Sequence, residues 1–143
     1  MHFNSILTGS TVEVASSASL TVFQNMHDFW FNTCFAFLVT HELDAVRHHE
    51  WRILPLFNLI KSDELGFQAF TVAHVPLQML LFHQCYTNSD TQLQWRTGLC
   101  IFSIIHLSLH WFYRKHPLYT FHNWLSWSLI AGCAFSGAMY LLQ

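Results

Sequence analysis

Three stretches of this chain, residues 65–83, 97–113 and 123–142, are apolar over lengths close to those that cross a bilayer. A helical span needs roughly 20 mostly apolar residues at a rise of ~1.5 Å each. A fourth stretch, 22–46, has its apolar part at Phe29–Val39 and then turns polar. Composition points the same way. Only 10% of the 143 residues are charged, against about 25% in ordinary soluble domains, too few to clothe a soluble surface. The expectation is an all-α, integral membrane, antiparallel four-helix bundle: one transmembrane domain over 21–143, preceded by a flexible tail over 1–20. That tail is rich in Ser and Thr and lacks the basic start of a signal peptide. The segment from Trp51 to Ile60 is too short to span and is broken by Pro55, so it reads as a short interfacial helix between spans 1 and 2.

Lys and Arg set the orientation. Arg47, Arg52, Lys61, Arg114 and Lys115 flank or occupy the loops after spans 1 and 3, and only Arg96 lies on the other side. The positive-inside rule then puts both loops in the cytoplasm, both termini outside, and the protein in the cytoplasmic (inner) membrane. A net charge of −2 gives no electrostatic case for nucleic acid. Cys34, Cys85, Cys100 and Cys133 show no CxxC spacing and read as buried thiols rather than a disulfide or zinc framework. On span 4, Ser128, Gly132 and Ser136 recur every four residues, a face suited to close helix packing and to a homo-oligomer.

The polar residues are placed with more order than a lipid-facing helix would allow. On a helix at about 100° per residue, His41, Asp44, His48 and Arg52 share one stripe. Thr71, His74 and Gln78 align on span 2, and Ser103, His106 and His110 on span 3. Counted from the basic loops, His41, His74 and His106 all sit roughly 9–15 Å below the cytoplasmic surface. Ionisable groups at that depth normally face a bundle interior or a wet cavity. His106 and His110, at i and i+4, can reach one ion, and His41 with Asp44 offers a mixed nitrogen and oxygen pair. The candidate metal ligands are therefore His41, Asp44, His74, His106 and His110, with Glu42 and Glu50 as catalytic carboxylates. Zinc suits that donor set, and iron or manganese would accept it.

His41-Glu42-Leu43-Asp44-Ala45, followed by His49-Glu50-Trp51-Arg52, resembles the HXXEE domain family of small multi-pass bacterial membrane proteins of unknown function. His41 matches the histidine of that motif, Asp44 stands for its first glutamate, and Ala45 departs from the second. Ala73 to Leu77 and the His106/His110 pair look like further signatures of a related group. The resemblance implies a membrane protein with an intramembrane His/acid site and supplies no activity.

Three functions compete on this evidence. A metal-bound water in a cavity near the cytoplasmic leaflet would hydrolyse an ester or amide of a lipid-like substrate. Haem b held between His41 or His74 and His106 would make an electron carrier. A His/Asp chain would relay protons or metal ions in a transporter or an accessory subunit of a membrane complex.

Overall fold

The computed structural model describes residues 6–57 and 59–143, with side chains described at Ser19 and from Thr21 onward. The chain is all-α: α1 (Ile6–Arg47), a 3₁₀ turn (Glu50–Arg52), α2 (Asp63–Tyr86), α3 (Gln92–Tyr113) and α4 (Trp124–Leu141). No strand occurs among the described residues. The expected loose tail is helical from Ile6, because extending an anchored helix costs far less than nucleating one. Residues 1–5 lie outside the described residues.

Side-chain pairs set the direction of each helix. Asp28 meets Arg96 at the start of α3, and His41 meets His106 near its end, so α1 and α3 run the same way. Glu42 pairs with His74 and Asn32 with Tyr86, so α2 runs against α1. Cys34 faces Cys133 and Asp44 faces Ser126, so α4 does too. The main packing is α1 on α4 and α3 on α4, with α2 to one side. Of the helices, α2 and α4 are long and apolar enough to cross a membrane. The expected spans α1 and α3 are not among them, since their polar stripes dilute the apolar face.

Two apolar clusters form the core. One joins Phe31, Phe35 and Leu38 of α1 to Leu99 of α3 and Tyr140 of α4, together with all four cysteines. The other joins Ala45, Trp51 and Phe70 to Tyr119 and Phe121 of the α3–α4 loop. His41 lies between them in the chain. Helix starts follow local chemistry: Ser62 accepts from Leu65 N–H at 3.3 Å and Asn123 from Ser126 N–H at 2.9 Å.

Helix α1 stops at Arg47, which removes Arg52 from the expected stripe. Arg52 instead donates to both carboxylate oxygens of Asp63, at 2.8 and 2.6 Å. The small-residue face of α4 is largely used within the chain. Ser136 is buried, Gly132 lies against the Phe37 ring, and only Ser128 is exposed.

Gly137 sets the α3–α4 approach. A Cβ there would stand 2.9 Å from the Cys100 carbonyl and would collide with Ser103 Oγ. Gly137→Ala should therefore destabilise the protein by about 1–3 kcal/mol. Gly98→Ala, with nothing within 4 Å of the new methyl, should be neutral or stabilising by up to about 1 kcal/mol. Thermal unfolding of the two variants in detergent separates these outcomes, and equal melting temperatures would contradict the packing.

Candidate metal centre

Three imidazoles converge in the half of the bundle nearest the α1–α2 and α3–α4 loops. His41 comes from α1, and His106 and His110 come from successive turns of α3. Their ring centroids lie 4.6–5.0 Å apart in edge-on contacts. His41 is fully buried, and neither of its ring nitrogens has a hydrogen-bond partner. An unpaired buried polar group costs on the order of 1–3 kcal/mol, so such a ring calls for a partner.

The fourth donor arrives from the loop. His49 adopts a left-handed conformation (φ 57°, ψ 43°), the one positive φ among the described non-glycine residues. That turn reverses the chain after α1 and swings Glu50 back into the bundle. Glu50 Oε1 stands 3.7 Å from His110 Nε2, and Oε2 stands 4.0 Å from His41 Nε2. His106 Nε2 and His110 Nε2 are 3.2 Å apart. One donor atom from each of the four residues lies within 4.8 Å of every other. Four donors on a tetrahedral ion at ~2.0–2.1 Å stand about 3.3 Å apart. Small side-chain adjustments bring this set to that spacing.

The loops complete the surroundings. Tyr119 hydroxyl is 3.1 Å from His110 Nδ1, which leaves Nε2 facing the donor group. A second-sphere partner of this kind orients metal-binding histidines. Phe121, fully buried, packs its ring on His41 and His110. Burial, reinforced by the nearby Glu42 carboxylate, pushes the Glu50 carboxyl up to about 8 from its ordinary 4.5. A cavity of about 200 Å³ opens onto Glu50, His106 and His110, and its other walls are Ile53, Leu54, Pro55, Leu109 and Tyr113.

Of the five expected ligands, His41, His106 and His110 come together; Asp44 and His74 do not. Asp44 accepts a short hydrogen bond from Ser126 Oγ and lies 3.5 Å from His48. It points along α1 toward α4, because i and i+3 on a helix diverge by about 60°. His74 Nε2 bonds Glu42 at 2.7 Å and its Nδ1 lies 2.7 Å from the Phe70 carbonyl, so both nitrogens are engaged. That pairing also removes Glu42 from the donor group and makes it a tie between α1 and α2. Glu50, expected as a catalytic carboxylate, stands among the donors. Tyr119 and Phe121 carried no sequence signal, since nothing local ties an α3–α4 loop to the end of α1.

The chain belongs to a family of unknown function (DUF6713), whose model matches residues 27–143. That match does not show the HXXEE resemblance. The matched region contains every residue of the donor group. No curated protein and no solved structure matches the chain significantly.

Two outcomes test the loop geometry. His49→Gly should preserve the fold, whereas His49→Val should cost about 1–3 kcal/mol, because a β-branched residue resists positive φ. Glu50 gives a pH test in metal-free protein. Its folded pKa lies above the unfolded one, so its contribution is full below pH 4.5 and is lost as pH rises toward 8. Unfolding midpoints measured across that window should fall for the native chain, and Glu50→Gln should flatten the fall. An identical slope in both would show that Glu50 is not buried as described.

Proposed function

We propose that this chain is a four-span membrane protein of the inner membrane whose donor group binds a divalent metal, zinc by preference. We propose further that the centre hydrolyses an ester or amide of a lipid-like molecule. The observation that carries the reading is His41, fully buried with both ring nitrogens unpartnered, facing three further donors from two other segments. Membrane insertion is supported by the outer faces of α2 and α3. Val72, Val75, Met79 and Phe82 of α2, and Ile101, Ile105 and Phe112 of α3, are exposed. Proteins bathed in water rarely leave apolar faces of that extent open.

In this reading His41, His106 and His110 hold the ion, and Glu50 lies on the wall shared with the cavity. A zinc ion held there would supply Lewis-acid chemistry, activating water and polarising a carbonyl. Glu50 takes the proton of the attacking water and passes it to the departing alcohol or amine, so the acyl carbon gains hydroxyl as its old bond breaks. Ile53, Leu54, Leu109 and Tyr113 give an apolar wall against which an alkyl chain packs. Iron or manganese would accept the same donors. The edge-on imidazole contacts at 4.6–5.0 Å favour an ion over haem, which needs an open slot between its axial ligands.

Membranes washed with alkaline carbonate should retain the protein, and release into the supernatant would refute insertion. Metal analysis of detergent-purified chain should find about one equivalent of zinc, lost in His106→Ala and in His110→Ala. A metal-free native protein, or a variant lacking both histidines that keeps its metal, would sink the centre. For catalysis, hydrolysis of acyl esters and amides should fall by about 10²-fold or more in Glu50→Gln. Unchanged turnover would remove Glu50 as the base.

A further inference from the structure

A second group of soft ligands sits deeper in the bundle, about two turns of α1 from His41. Cys34 of α1, Cys100 of α3 and Cys133 of α4 are each buried to within 1% of full enclosure. Cys34 Sγ and Cys133 Sγ are 3.8 Å apart. Cys100 belongs to the same buried cluster. The Cys133 thiol lies 3.5 Å from the Cys34 carbonyl, and Ser103 Oγ donates to the Cys100 carbonyl at 2.7 Å. All four cysteines are free. Burial alone explains each thiol singly, since cysteine behaves as a small hydrophobe. It does not explain why thiols from α1 and α4 turn toward one another, one turn of α4 from Gly137, whose missing side chain leaves room for Cys100 and Ser103 of α3.

We propose that Cys34 and Cys133, with Cys100 beside them, form a site for a soft monovalent cation of the Cu(I) class. Two thiolate sulfurs on one ion at ~2.3 Å stand about 3.8 Å apart in a bent arrangement and about 4.6 Å apart in the linear one that two-coordinate Cu(I) favours. The observed 3.8 Å meets the lower of these, and the rest is within reach of side-chain rotation. Thiolates select Cu(I) among the available ions, and no imidazole or carboxylate joins the group to complete the fourfold set that zinc prefers. Binding replaces two thiol protons by one cation. The protons leave to solvent, no electron is transferred, and copper enters already reduced. This site is independent of the histidine centre and of its proposed chemistry.

The test titrates the full chain, purified in detergent under reducing, anaerobic conditions, with Cu(I) against a competing chelator. One equivalent should bind with an ultraviolet thiolate-to-copper charge-transfer band. X-ray absorption of the native complex should show sulfur as the main scatterer. Cys34→Ser or Cys133→Ser should weaken binding by more than about tenfold. His106→Ala and Cys85→Ser should leave it unchanged. Nitrogen and oxygen scatterers alone, absence of the band, or a band that survives Cys34→Ser would overturn the proposal. The scattering measurement uses native protein, so it decides the matter even where a cysteine variant fails to fold.

Discussion

The arrangement turns on the burial of His41. An imidazole with no partner for either nitrogen is costly inside an apolar bundle, by roughly 1–3 kcal/mol for each unsatisfied group. Three further donor side chains reach its level. α3 runs parallel to α1 and presents two histidines one turn apart. The left-handed turn at His49 returns Glu50 to the same depth. Phe121 and Tyr119 close the group from the α3–α4 loop, so α3, that loop and the turn after α1 surround one ring.

The same end of the bundle is tied by polar pairs that do not join the centre. Asp44, Ser126, Asn123 and His48 link the end of α1 to the start of α4, and Thr120 donates to the His48 carbonyl at 2.6 Å. Glu42 and His74 link α1 to α2. These bonds fix the ends of the helices that carry the donors. A shift of about 1 Å in any of them would move the donor atoms by as much, so such supports matter to the site as much as the donors. The opposite half of the bundle has a different character. There the thiols, Phe31, Phe35 and Tyr140 form an apolar core, and Arg96 seals its end on Asp28 and the Cys85 carbonyl.

Much of this was legible before any coordinates. Helix number followed from apolar run lengths, with α4 expected at 123–142 and lying at 124–141, whereas α1 begins at Ile6 rather than near Val22. Depth counting along helices of known rise put His41, His74 and His106 at one level; His41 and His106 meet there with His110 from the next turn, whereas His74 pairs with Glu42. The stripe to Arg52 failed because nothing in Arg47-His48-His49 is a strong stop signal, neither glycine nor proline. Histidine is an uncommon choice for a left-handed residue, so the turn that delivers Glu50 left little trace. Asp44 and His74 were misplaced for a related reason. Depth along a helix can be counted, but the azimuth at which a neighbour packs cannot.

The sequence by itself determined that the chain is helical, that it is too poor in charge to present an ordinary soluble surface, and that histidines recur at matching heights. Those properties depend on local periodicity and composition, which each segment carries alone. Tertiary structure decided which donors share a point, because that depends on rotations between helices and on one backbone reversal. Glu50 entered the group and Asp44 left it for Ser126. The thiols of α1 and α4 met for the same reason. Close packing at Gly137 sets the distance between helices, and no single segment encodes that distance.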